Sequence, residues 1–303
     1  QGTDIYLISN QEARSKEAEL SFRIDNKIPE IWDPANGAIK KMANFVSGAG
    51  RNKVPVKLDA HGSVIVVFRE SINKPVIQNV TYAPASGKKD EYQSIPANVT
   101  YSDKGKIILT ASRDGKYTLS IPDRQDRHDH DTSDSDVTTI EVTGIPESIK
   151  FDQEWMVRFP QNWDTPTDTS FNKLISWADH SGDGIRHFSG TANYFNELNL
   201  SGEMIQPDLS IFLDLGEVRV MAEIIVNGEN LGILWKRPFI LDITGAVREG
   251  NNKIQIKITN TWWNRLVGDE KYPNGFPGAS AEKPRTYTTY KAWKASDQLL
   301  PSG

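Results

Sequence analysis

The chain has 303 residues, enough for two domains that each bury a core of their own. Charged residues make up 25% and hydrophobic ones 37%, and the formal net charge is -5 with both signs interspersed, so no clustered basic face is offered to nucleic acid or an anionic membrane. There is no cysteine, and no apolar run nears the roughly 20 residues of a membrane-spanning helix, which excludes disulfides, thiolate metal sites, cysteine nucleophiles and a transmembrane helix.

In chain order, period-two alternation predicts strands at 4–9, 18–24, 63–69, 106–111 and 116–121, with turns at Asn36-Gly37, Asp59 to Gly62 and Asp114-Gly115. Residues 123–136 carry no large apolar side chain and read as an acidic linker or long loop. Residues 169–178 read as a short helix. Beyond them, Leu209, Ile211, Leu213 and Leu215 alternate, as do Val218, Val220, Ala222, Ile224 and Val226. The Asn227-Gly228 pair marks a tight hairpin, and Ile254, Ile256 and Ile258 give the clearest alternation of all. The fold class is therefore all-β, of sandwich or jelly-roll type. The expected organisation is a β-sandwich part over 1–122, with room for two small units meeting near 71–74, then a linker over 123–139, then a second part over 140–303.

The second part holds an ordered string: Asn227-Gly228, Gly232, Trp235, Pro238-Phe239, Asp242-Ile243-Thr244, Gly250-Asn251 and Asn260. It resembles the sugar-binding-type jelly roll of family 2 glycoside hydrolases, whose fold is galactose-binding-like. Ser189 to Ala192, Tyr194, Leu213 to Gly216 and Asn264 to Asp269 extend the likeness. So do Asp4 to Tyr6, Ser9-Asn10, Phe22-Arg23, Pro29 to Pro34 and Gly62 to Phe68 upstream. Together they resemble the C-terminal part of the α-L-rhamnosidase-like enzymes of glycoside hydrolase family 106. The resemblance implies an N-terminal β-sandwich part followed by a galactose-binding-like jelly roll. It places the catalytic carboxylates on an upstream barrel that this chain lacks. It also implies that an ending like Leu299 to Gly303 continues into one more apolar strand. With the abrupt start at Gln1, the chain is expected to be a piece cut at both ends.

The function so implied is a non-catalytic accessory module that packs on or frames a catalytic barrel and is inactive alone. A free-standing carbohydrate-binding module and an independent hydrolase are the other readings. The expected partners are the parent enzyme's catalytic domain and a plant or microbial glycan, with no nucleic acid and no membrane. The resemblance further implies a bacterial periplasmic or secreted location, no cofactor, and room for a structural calcium ion.

Glycosidases need two carboxylates flanking the bond, and no motif singles out such a pair among the 40 acidic residues. Asp214, Asp242 and Asp269 read as turn formers or arginine partners. His128 and His130, alternating with Asp129 and Asp131, suit adventitious cation binding rather than a built site. His180, Asp179 and His187 match no metal or triad spacing. The aromatics Trp155, Trp163, Trp177, Trp235, Trp262, Trp263, Trp293, Tyr287 and Tyr290 can stack on sugars, but most are expected to fill the core or cover sheet edges. Candidate carbohydrate or interdomain contacts are Trp262, Trp263, Asn264, Arg265 and Trp235; no catalytic or metal-ligating residue is expected. If Trp262 and Trp263 lie on a strand they point oppositely, so at most one is core. Arg265 offers a planar fork, with Asp269 or Asp214 as partner.

Overall fold

The computed structural model describes residues 2–85, 95–121, 136–161, 164–273, 275–276 and 292–303. Residues 123–135 of the linker expected over 123–139, and Trp163, Tyr287, Tyr290, His128 and His130, lie outside the described residues. The chain divides into two compact units, Gln1–Glu147 and Ser148–Gly303.

The strands of the first unit are β1 (Asp4–Ser9), β2 (Lys16–Phe22), β3 (Lys27–Trp32), β4 (Ile39–Lys41), β5 (Val46–Gly48), β6 (Arg51–Leu58), β7 (Ser63–Ser71), β8 (Asn79–Pro84), β9 (Ala97–Tyr101), β10 (Ile107–Ala111), β11 (Gly115–Ser120) and β12 (Val137–Val142). They pair as sheets β1-β7-β3-β4, β2-β6-β5, β10-β9 and β12-β11-β8. Alternation explains the layering. Along β6, Asn52, Val54, Val56 and Leu58 are buried while Arg51, Lys53, Pro55 and Lys57 face outward. One core cluster runs through all of this unit, from Phe22, Ile28, Phe45 and Phe68 to Val80, Val99, Tyr101 and Leu119.

The expected start of the second part at 140 is corrected. β12 pairs antiparallel with β11, Val137 opposite Ser120 and Val142 opposite Gly115, so the backbone ladder ties residues 137–142 to the first unit. Its side chains are nearly all exposed. An edge strand held chiefly by its backbone ladder, with side chains largely outside the core, leaves little apolar pattern to read.

The second unit contains β13 (Trp155–Arg158), β14 (Asp168–Phe171), α1 (Asp183–Arg186), β15 (Thr191–Leu200), β16 (Phe212–Asp214), β17 (Met221–Val226), β18 (Glu229–Leu234), β19 (Ile240–Asp242), β20 (Gly250–Thr259) and α2 (Trp263–Lys271). A six-stranded antiparallel sheet, β14-β13-β15-β20-β17-β18, is accompanied by the two-stranded β16-β19. Trp155, Val157, Tyr194, Ile224, Ile254, Ile256 and Ile258 from the large sheet share a core with Leu213, Phe239 and Ile243 around the small one. The protein is thus all-β, built as sandwich and jelly roll. Asn227 (φ 52°) and Gly228 (φ 87°) join β17 to β18 in the positive-φ conformation that a two-residue hairpin turn needs. Fully buried Asn252 fastens the neighbouring corner. Its Nδ2 donates to the carbonyls of Arg248 (2.7 Å) and Gly250 (3.0 Å), and its Oδ1 accepts from Asn227 Nδ2 (2.8 Å).

One sequence expectation fails here, and one condition is not met. Residues 169–178 are not a helix: β14 pairs with β13, and a single 3-10 turn follows at Trp177–Asp179. The helix-like spacing of Phe171, Leu174 and Ile175 arises otherwise, since Phe171 enters the core while Leu174 and Ile175 are 53% and 40% exposed. Trp262 and Trp263 are not on a strand either; they open α2. That helix buries Asn264, Arg265, Val267 and Gly268, a mostly polar face that gives no amphipathic signal.

Candidate functional site

α2 begins soon after β20 ends, which turns Asn264 and Arg265 of the expected contact residues inward. The Arg265 side chain is 3% exposed. Its Nε donates to Asp269 Oδ1 at 3.0 Å, and Nη2 donates to Asp164 Oδ2 at 3.4 Å, where the Asp164 side chain is 1% exposed. The guanidinium also lies 5.2 Å from the ring centre of Phe276. Ser189 Oγ accepts from the Arg265 backbone N–H at 3.2 Å. Of the two partners expected for Arg265, Asp269 is one and Asp214 is not. Asp214 Oδ1 instead accepts from Gly216 N–H at 2.8 Å in a turn of its own. Asp164 was missed, because a carboxylate 101 residues away has no local signature.

Asn264 and Trp263 hold the C-terminal segment. Asn264 Nδ2 donates to the Leu300 carbonyl at 2.8 Å and its Oδ1 accepts from Leu300 N–H at 2.8 Å, while Trp263 Nε1 donates to the Gln298 carbonyl at 3.0 Å. Trp262 and Trp235 are different. They are 57% and 54% exposed and belong to separate elements, the start of α2 and the loop after β18. The five candidates therefore split into three that fasten the structure and two that face solvent.

Beside α2, the His187 side chain is buried against Tyr272 and Phe276, and its Nδ1–H donates to the Asp183 carbonyl at 2.9 Å. Burial holds its pKa below the ordinary imidazole value. Tyr272 donates its hydroxyl proton to Asp183 Oδ2 at 2.9 Å. Among the described residues, no group of three or more His, Cys, Asp or Glu side chains is placed to hold a metal ion.

A cavity of about 350 Å³ opens in the second unit. Its floor is Trp155, Tyr194, Ile256 and Ile258 of the large sheet, and one wall is the chain from Leu213 to Arg219. Leu174, Ile175 and Ser176 line it too, and Pro301 to Gly303 complete the lining. The site is largely apolar. Tyr194 accepts a hydrogen bond from Trp177 Nε1 at 2.6 Å, and its burial raises the phenol pKa. Trp155 is 4% exposed, and its Nε1–H has no partner among the described residues. The carboxylate Glu217 at the rim is engaged by Arg219 and Arg237. Such a site can bind apolar surface and satisfy an acceptor. It does not present a free pair of carboxylates for acid–base chemistry.

The protein is all-β, and the comparisons with known proteins support a glycoside hydrolase-related fold. The chain is 38% identical, over 99% of its own length, to a Formosa agariphila protein described as "Putative beta-glucuronidase", of which it covers 41%. It is 26% identical, with a TM-score of 0.68 over 99% of its length, to a solved rhamnosidase from Novosphingobium sp. PP1Y, of which it covers 22%. The chain thus spans less than half of the one and less than a quarter of the other. No family model matches it.

Proposed function

We propose that the chain is a non-catalytic accessory module of a larger, α-L-rhamnosidase-like glycoside hydrolase. In this reading its second unit is a galactose-binding-like jelly roll that packs on or frames a catalytic barrel. The observation that carries the reading is the end-to-end likeness to a minor fraction of two much longer glycosidase-like proteins. The roles of the acidic residues support it. Asp242 Oδ1 accepts from Thr244 N–H at 2.9 Å in a turn, Asp214 does the same for Gly216, and Asp164 and Asp269 are bound to Arg265.

A surface for such packing exists on the first unit. Strand register lines up Leu7, Ile65, Trp32 and Ile39 across β1, β7, β3 and β4, with Leu7 71% and Ile39 49% exposed. An apolar row across a whole sheet suits coverage by another domain. The test is an assay of the chain alone on aryl α-L-rhamnoside and aryl β-D-glucuronide. No release above background is expected. Hydrolysis that a single carboxylate substitution in this chain abolishes overturns the reading.

A further inference from the structure

We propose that the outer face of the six-stranded sheet in the second unit is a binding track for a neutral glycan, an extended chain of uncharged sugars lying across the strands. The inference stands on the geometry of this face and does not rest on the accessory-module reading.

In a sheet, directly opposed residues share a face and alternate residues point the other way. Val157, Tyr194, Ala222, Ile224, Ile256 and Ile258 are buried in the core, so the residues between them point outward. Strand register sets these in rows. One row runs Ile233, Glu223, Lys257, Asn193 and Arg158, across β18, β17, β20, β15 and β13. The next runs Ile225, Gln255, Phe195 and Met156. At the β18 end Ala222 lies opposite Leu234, and one step further along the chain Trp235 comes beside Met221. Neighbouring strands are about 4.8 Å apart, so five strands span about 19 Å, the length of several pyranose rings.

The middle of this face is polar and held in place. Lys257 Nζ donates to Glu223 Oε1 at 3.0 Å, and Gln255 Nε2 donates to Asn193 Oδ1 at 3.1 Å. Arg158 Nε donates to Asp168 Oδ1 at 2.7 Å, and its guanidinium lies 5.5 Å from the ring centre of Phe195. Exposed apolar side chains stand at the two ends: Trp235 (54%), Ile233 (58%) and Met221 (40%) at one, Met156 (49%) at the other. A protein interface has the reverse plan, an apolar centre within a polar rim. A glycan chain suits the observed one. Its ring faces are apolar and can stack on the Trp235 indole, while its hydroxyls both donate and accept along the amide and ion-paired rows. Charge narrows the class further. Each charged side chain in these rows has an opposite partner, Lys257 with Glu223 and Arg158 with Asp168, which leaves no net charge to draw a polyanion. The same pairs fix the side-chain rotamers beforehand, so little conformational entropy is lost on binding.

The experiment uses the whole chain, with cellohexaose, mannohexaose and xylohexaose as neutral probes and hexagalacturonate as the charged one. Isothermal titration calorimetry reads affinity, and quenching of tryptophan fluorescence reads contact with Trp235. Saturable binding of at least one neutral probe is expected, about tenfold or more tighter than hexagalacturonate and unchanged between low and high salt. Trp235→Ala should remove the quenching and weaken binding about tenfold or more. Gln255→Ala, in the polar middle, should weaken it about fivefold, the value of one hydrogen bond. Both variants should melt like the parent. Failure of every neutral hexasaccharide to bind, tighter binding of hexagalacturonate, or binding that either substitution leaves unchanged overturns the proposal.

Discussion

Arg265 shows how a side chain suited to recognition is turned to holding the fold. Its guanidinium compensates Asp164, a carboxylate with 1% side-chain exposure that would otherwise be buried alone. Arg265→Ala should therefore destabilise the second unit by about 3–5 kcal/mol, the usual result of breaking a buried ion pair from one side. In the double variant with Asp164→Asn much of that loss should return, because no lone charge remains. Chemical denaturation of the parent, both single variants and the double variant tests this; additive losses would mean the two residues do not depend on each other. His187 makes a second claim. Its pKa in the folded state lies below the unfolded value of about 6.5, so the unfolded chain binds the proton more readily. The stability it contributes is complete above about pH 6.5 and is lost as pH falls from there toward the folded pKa. Melting of the second unit should drop as pH falls below about 6.5, and His187→Asn, which keeps a donor for the Asp183 carbonyl, should flatten that slope. Identical slopes in parent and variant would remove His187 as the cause.

α2 and the strands before it differ in how far the sequence reveals them. β20 was legible because every second residue from Ile254 to Ile258 is apolar and buried, and the Asn227-Gly228 hairpin because its chemistry admits few other conformations. α2 was not legible, because its buried face is built of asparagine, arginine and glycine fastened by long-range bonds. Leu174 and Ile175 misled in the opposite sense, their spacing serving a cavity rim rather than a helix. The same helix yields a test of packing against propensity. Replacing a helical glycine by alanine ordinarily stabilises by about 0.5–1 kcal/mol. At Gly268, however, a Cβ would lie 2.7 Å from His187 Cβ and 2.8 Å from its Cγ, in buried surroundings with no room to yield. Gly268→Ala should destabilise by about 1–3 kcal/mol, the range for overpacking. A raised melting temperature would show that the ring can move aside.

Taken whole, the chain is two cores in sequence, one from Phe22 to Leu119 and one from Trp155 to Ile258, with no residue in common. Residues 1–147 and 148–303, expressed apart, should each melt cooperatively by circular dichroism; a fragment that stays unfolded until the other is added would refute that independence. The tie between residues 176–177 and 302–303 has a consequence for synthesis. Trp177 N–H reaches the Ser302 carbonyl at 2.7 Å, Ser302 N–H reaches Ser176 Oγ at 3.0 Å across 126 residues, and Gly303 packs on the Trp177 indole. A ribosome making this protein can release the strands of the large sheet to pair as they emerge, but the latch cannot form until residues 302 and 303 have also emerged. Until then Trp177, fully buried in the finished protein, lacks its covering, so the nascent second unit exposes a chaperone-accessible indole for the whole of its elongation.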